Sequence, residues 1–119
     1  MAIVERYLAC VAGQDWEGLT ACLTPGVVRV GPFGDTYEGR DVYMTFIEDL
    51  MPRLPGYEMK VDRVTYHGRQ VIAEISETVT MDGKPRVTPE ALLIELSDDN
   101  RIARIDIYMQ TPGVEPPEF

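Results

Sequence analysis

The sequence predicts a single α+β domain, with helices first and a sheet second. Apolar residues in the first fifty positions recur at helical spacing. Those after Tyr57 alternate or run together as β-branched stretches, and Gly, Pro, Asp and Asn cluster between the runs. Three helices followed by a long antiparallel meander place the helices on one face of a bent sheet.

Each element has its own signal. Ile3, Tyr7 and Val11, with Val4 and Leu8 beside them, form an amphipathic stripe that Gly13 stops. Asp15 caps a second, short helix with Trp16, Leu19 and Leu23 on one side, and Pro25-Gly26 ends it. Val27 to Val30 is β-branched around Arg29 and reads as a short strand, followed by the turn-rich Gly31-Pro32-Phe33-Gly34-Asp35. A third helix starts at Arg40-Asp41. Its apolar sets, Val42, Phe46, Leu50 and Tyr43, Ile47, Met51, have the helical period, and Pro52 closes it. Four strands follow, over 57–67, 70–81, 86–96 and 101–110. They are separated by His67-Gly68-Arg69, Asp82-Gly83-Lys84-Pro85 and Ser97-Asp98-Asp99-Asn100. The domain therefore spans residues 1–110. Residues 111–119 form a proline-rich tail that cannot extend the sheet.

Size and charge exclude several classes of function. A chain of 119 residues that is 45% apolar has room for one core and one modest pocket. Eleven Lys and Arg against 20 Asp and Glu give a net charge of -9, which repels nucleic acid and anionic membrane surfaces. The acidic residues run from Glu5 to Glu118 without a block, as on a solvated surface. Cys10 and Cys22 fit neither a metal nor a redox spacing and read as reduced, buried residues. Glu5 and Arg6 interrupt the apolar N-terminus and no basic leader precedes it, so a cytoplasmic protein without a membrane span is expected. Phosphate loops, nucleophile-plus-base spacings and metal signatures are missing from the sequence. The expectation is a site without metal or organic cofactor.

The order of elements, the stretch Gly31-Pro32-Phe33-Gly34, the Glu38-Gly39-Arg40-Asp41 opening the third helix and the Asn100-Arg101-Ile102 entry to the last strand resemble the nuclear transport factor 2-like superfamily. The SnoaL-like and ketosteroid-isomerase-like branch is the most similar part of it. The resemblance covers Val4 to Gln110, and Val4 to Gly34 aligns with bacterial ketosteroid isomerases without a gap. It implies a cone-shaped α+β barrel in which the helices pack on the concave face of a strongly bent antiparallel sheet, with a pocket between them. It also implies an isomerase machinery of a tyrosine on the first helix, an aspartate base before Pro-Phe-Gly and a protonated acid on the fifth strand. Tyr7 matches the tyrosine, but Gly31 stands at the base position and Leu92 at the acid position. Neither can move a proton, which removes steroid isomerisation by that route. Limonene-epoxide-hydrolase-like relatives use an Asp-Arg-Asp set with a Tyr and an Asn as helpers. The matching positions here are Glu77, Ile75 and Ile107, with Arg29 and Gly31 for the helpers, so one carboxylate of that set survives in altered form.

The period-2 rule sorts strand residues into faces, and the resemblance chooses the inward one. Ala73, Ile75, Glu77 and Val79 share that face, as do Glu90, Leu92, Ile94 and Leu96 on the next strand and Ile105, Ile107 and Met109 on the last. Arg104, Asp106 and Tyr108 fall on the convex side with Leu93. Relatives commonly dimerise through that face, and a homodimer is expected. Apolar walls with a few polar points suit a small apolar ligand, with Phe33 and Phe46 the aromatic residues placed to touch it. Glu77 interrupts an apolar face, so it either pairs with Arg29 or Arg63 or stays in the pocket as a general acid or base, with Tyr7 orienting the ligand. Pro89 beside Glu90 suggests a bulge or strand start. That favours an exposed Glu90, whereas the face it shares with Leu92 points it inward. His67 sits in a hairpin turn and reads as solvated; Asp35, Tyr37 and Glu38 read as turn and capping residues over the mouth. The loss of the carboxyls at 31 and 92 keeps a second reading open, that of a noncatalytic ligand-binding or protein-interaction module.

Overall fold

The computed structural model describes residues 1–111 and Pro117, so the tail expected over 111–119 lies outside the described residues except for Thr111 and Pro117. The chain runs α1 (Ile3–Gly13), α2 (Trp16–Cys22), β1 (Leu23–Val30), β2 (Thr36–Glu38), α3 (Arg40–Leu50), β3 (Glu58–His67), β4 (Gln70–Met81), β5 (Lys84–Leu96) and β6 (Ile102–Met109). One turn of 3-10 helix, Met51–Arg53, follows α3.

The α1 stripe buries Ile3, Val4, Tyr7, Leu8 and Val11, with Cys10 joining them. Its left-handed end residue is Gln14 (φ 54°), one place beyond Gly13. Asp15 caps α2 as expected, its Oδ1 accepting from the Gly18 amide at 3.0 Å. Leu23 departs from expectation. It is the first, fully buried residue of a strand that passes through Pro25-Gly26, because its inward side chain serves a sheet as well as a helix. Thr36–Glu38, expected as loop, is a short edge strand paired with Val28–Val30. On α3 the buried line is Tyr43, Met44 and Ile47, continuing to Met51, while Val42 is exposed. Pro52 sits in the 3-10 turn, where its missing amide hydrogen has no helical partner to lose.

The sheet order is β2-β1-β6-β5-β4-β3. β3 to β6 form the expected antiparallel meander, and β1 joins it through a parallel ladder with β6. Asp82 and Gly83 both take positive φ (52° and 74°), the two-residue hairpin geometry that lets β5 resume at Lys84. A single core of aliphatic residues, with Tyr7 and Tyr43, fills the space between the helices and the concave face. The Cα radius of gyration is 14.7 Å, above the roughly 13.5 Å of a filled domain of this length. Residues 81–87, the projecting end of β4 and β5, are exposed, and the cone is open on that side. Among the described residues no helix is long and apolar enough to cross a membrane.

Candidate functional site

Two cavities lie in line between the helices and the sheet. An outer one of about 950 Å³ opens at the projecting end, and an inner one of about 110 Å³ lies beneath α1 and α3. Arg29, Leu50, Leu54, Glu77 and Glu90 border both and form the neck between them. The β4–β5 register explains why two carboxyls meet there. Glu77 faces Thr88 and Ile75 faces Glu90, so Glu77 and Glu90 are diagonal neighbours on one face, within reach of long side chains.

The two carboxyl groups lie close together, Glu90 Oε2 is buried without a hydrogen-bond partner, and Glu90 is pushed up to about 9. Burial is the main cause, followed by the close approach of the Glu77 carboxyl, with Arg29 partly offsetting them. At neutral pH Glu90 therefore holds its proton beside the Glu77 side chain. The Tyr57 hydroxyl also donates to Glu77, and Tyr57 is held far above the usual tyrosine range by burial and the neighbouring Glu77. In the inner cavity the Tyr7 and Tyr43 hydroxyls share a hydrogen bond of 2.6 Å. Burial raises both, so both stay neutral hydrogen-bonding groups.

Arg29 occupies the inward face of β1 and is only 8% exposed. Its Nη1 donates to Asp35 Oδ2 at 3.2 Å. Its guanidinium lies 4.8 Å from the Phe46 ring centroid, 5.7 Å from Tyr37 and 6.0 Å from Tyr43. Gly31 permits the pairing with Asp35. A Cβ there would strike Asp35 Oδ1, would lie 2.7 Å from Oδ2 and would lie 2.8 Å from Arg29 Nη1. The volume a residue-31 side chain would take is thus filled by the carboxylate of Asp35.

Several expected site residues do border the cavities: Tyr7, Ile75, Leu92 and Ile107 the inner one, Phe33, Phe46 and Met109 the outer. Phe33 is 81% exposed at the mouth. Glu90 points inward, against the exposure that Pro89 favoured, because the β4–β5 ladder continues through Pro89 (opposite Ser76) without a register shift. Ile94 and Ile105 border neither cavity; both are buried in the core. Alternation assigns a residue's face but not its depth, and these two lie where the helices rest directly on the sheet. Glu77 pairs with neither arginine offered for it: Arg29 bonds Asp35, and Arg63 bonds Glu74 on the outer face. His67 is exposed in its turn, as expected.

Tyr57 and Tyr43 are polar cavity residues that the sequence did not place there, while Arg29 was expected only as a partner of Glu77 and Asp35 only as a turn residue over the mouth. Arg29 carried a signal, a charge at alternate spacing from Val27 inside a β-branched run. Tyr57 carried one too, two places before Met59, which faces Glu77 across the ladder. Among the described residues no group of three or more His, Cys, Asp or Glu is placed to hold a metal ion.

Comparison with known proteins agrees with this architecture. The model of the SnoaL-like domain family matches residues 4–105, and the chain belongs to that family. Among solved structures, an LEH-like epoxide hydrolase of M. tuberculosis superposes with a TM-score of 0.79 at 20% identity, over 91% of this chain and 80% of that one. A candidate SnoaL-like polyketide cyclase from Jannaschia sp. CCS1 gives 0.80 at 20% identity, over 91% and 83%. A protein of ketosteroid isomerase-like fold from Catenulispora acidiphila, solved in complex with trimethylamine, gives 0.78 at 18%, over 89% and 83%. At such identities the shared property is the fold. Among proteins with curated descriptions, none matches the chain.

Proposed function

We propose that the cone binds a small, largely apolar molecule and performs acid–base chemistry on it through the Glu77–Glu90 pair. The observation that carries this reading is the placement of two carboxyl side chains on one face of the β4–β5 ladder at the neck of a largely apolar cavity, with burial raising Glu90. A carboxylate beside a neutral carboxylic acid supplies a base and an acid together, the pairing that isomerisation, cyclisation and epoxide opening all require. Glu77 is the base, Glu90 donates the proton back, and the neutral Tyr7–Tyr43 pair hydrogen-bonds a ligand oxygen that reaches the inner cavity. The names of the hydrolase and cyclase relatives fit that class of chemistry. The domain acts as a cytoplasmic homodimer joined through the convex face, which exposes Leu93 and Tyr108.

A panel of small apolar epoxides and enones, assayed by mass spectrometry with wild type, Glu77→Gln and Glu90→Gln, tests the reading. Turnover is expected to fall by about 10²-fold or more in each variant, the usual contribution of a general acid or base. Undiminished turnover in Glu77→Gln sinks the assignment. A second reading, a noncatalytic binding module, is favoured by Gly31 and Leu92 at the positions where isomerase relatives are expected to carry acidic groups. It predicts that native mass spectrometry finds a co-purified small molecule that the protein returns unchanged.

A further inference from the structure

Two arginines border the outer cavity. Arg29 is engaged by Asp35, and Arg86 by no acid among the described residues. Arg86 Nη1 reaches only the Met81 thioether, at 3.7 Å, and a thioether is a weak acceptor. Elsewhere in this chain, where 20 acidic residues outnumber 11 basic ones, Arg53, Arg63, Arg69, Arg101 and Arg104 each hold a carboxylate. The β4–β5 register sets Arg86 on the concave face. The ladder runs from Lys84 to Glu95 without a shift, so Arg86, Thr88, Glu90 and Leu92 share one side with Val79, Glu77, Ile75 and Ala73 opposite them. These residues descend into the cone: Arg86 is exposed at the mouth, Glu90 stands at the neck and Leu92 borders the inner cavity. Four residues of strand put about 13 Å between Arg86 and Glu90. The outer cavity around that span is walled by Phe33, Leu54, Val79 and Met109.

We propose that Arg86 anchors a ligand carboxylate at the mouth, so that the cone takes an elongated apolar monoacid. Its carboxylate meets the guanidinium, its apolar body lies along the outer cavity and its uncharged end reaches the neck. The inference rests on the reading of the cone as a small-molecule cavity and names the class of molecule it takes. Charge sets the direction of entry. A carboxylate carried to the neck meets the Glu77 and Glu90 side chains, and the guanidinium there already holds Asp35. At the mouth it meets a guanidinium whose planar fork accepts both of its oxygens. An ammonium at the same place is repelled. Lys84, two places nearer the hairpin tip on the same face, adds a second cation to that rim. The net charge of -9 opposes a second negative charge on the ligand, which favours a monoacid over a diacid. An exposed ion pair is worth little alone, so Arg86 selects and orients the ligand while the apolar body supplies most of the affinity.

The test measures, by isothermal titration calorimetry, the binding of decanoate, decanamide and decylammonium to the full chain. Wild type is compared with Arg86→Met, which keeps an apolar stem, removes the charge and has its fold checked by circular dichroism. The extended decanoate chain covers about 11 Å, close to the span from mouth to neck. Methyl resonances of methionine-labelled protein, with Met81 assigned by its loss in Met81→Leu, report whether the carboxylate end lies beside Arg86. Decanoate should bind wild type more tightly than decylammonium does and should move the Met81 signal. It should lose about fivefold in affinity in Arg86→Met, and a similar factor in wild type at high salt, while decanamide stays within about twofold in the variant. Undiminished decanoate affinity in Arg86→Met overturns the proposal and leaves Arg86 a solvated surface residue. An equal loss for decanamide overturns it as well, since charge is then not what Arg86 contributes. So does a decylammonium that binds more tightly than decanoate, or a Met81 signal unmoved at saturation. If none of the three probes binds, the small-molecule reading of the cone fails and this proposal falls with it; three equal affinities that Arg86→Met leaves unchanged overturn the carboxylate anchor alone.

Discussion

Replacing Glu90 by glutamine should make the protein more stable at pH 8 and change it little at pH 4.5. Glutamine keeps the shape and the hydrogen-bonding capacity of the protonated acid but takes up no proton on folding. The folded state holds the Glu90 proton up to about 9, whereas an unfolded chain releases it near 4.5. Folding between those values therefore binds a proton. The contribution is fully favourable below about pH 4.5, declines by at most about 1.4 kcal/mol per pH unit above it, and is lost as pH rises through about 9. At pH 8 the unscreened figure is about 5 kcal/mol. Glu90 is only partly buried, and solvent screening brings the expected difference to about 2 kcal/mol. For a domain of this length that corresponds to roughly 8 °C in Tm. Urea unfolding of both proteins at half-unit steps from pH 4.5 to 9 measures it. The wild-type curve should approach the variant's at low pH and fall away from it as pH rises. Curves that stay parallel across the whole range refute a proton held on Glu90 and, with it, the assignment of Glu90 as the acid.

Four further expectations follow from named contacts. Tyr57→Phe removes a donor to the Glu77 carboxylate and should cost about 1.5–3 kcal/mol in urea unfolding at pH 7; an unchanged midpoint would show that the hydroxyl serves no structural purpose. Gly31→Ala should displace the Asp35 carboxylate from Arg29 at a cost of about 1 kcal/mol, since the obstructing atoms are the ends of side chains that can swing; an Arg29 Nε–H signal identical to wild type counts against that geometry. Ile105→Ala should cost about 2–5 kcal/mol and leave ligand affinity alone, because Ile105 is fully buried away from both cavities, while Met109→Ala should do the reverse. Sedimentation equilibrium at micromolar concentration should give twice the monomer mass, and Tyr108→Glu on the exposed convex face should halve it; a monomeric wild type ends the dimer reading.

The fold was legible because its signals are local and repeated. The α1 stripe, the Asp15 cap, the Asp82-Gly83 hairpin and the alternation through Ala73, Ile75 and Glu77 each specify an element without reference to the rest of the chain. What stayed hidden depends on depth and on distant partners. Ile94 and Ile75 obey the same alternation, yet one is packed into the core and the other borders a cavity, because the difference is how far along the cone each lies. The shared strand at Leu23 was masked by its equal fit to the α2 stripe. The meeting of Asp35 with Arg29 required Gly31 to be read as the space for another residue's side chain, rather than as a lost base.

The identity of Glu77's partner decides what the site can do. Had Glu77 paired with Arg29 or Arg63, as its place among Ala73, Ile75 and Val79 allowed, the guanidinium would have held it ionised, and a fixed buried ion pair is a structural device. Each arginine is instead engaged by a different acid, Arg29 by Asp35 and Arg63 by Glu74. Glu77 is left diagonal to Glu90 across the ladder, and burial beside a second carboxyl raises Glu90. On the proposed reading, a ligand seated at the neck meets Glu90 as donor and Glu77 as acceptor, and the Tyr57 hydroxyl donates to Glu77. The absence of carboxyls at both isomerase positions therefore leaves the proposed acid–base chemistry a pair of carboxyls to work with. That pair is Glu77 on β4 and Glu90 on β5, and the proposal rests on the β4–β5 register that sets them diagonally across the ladder.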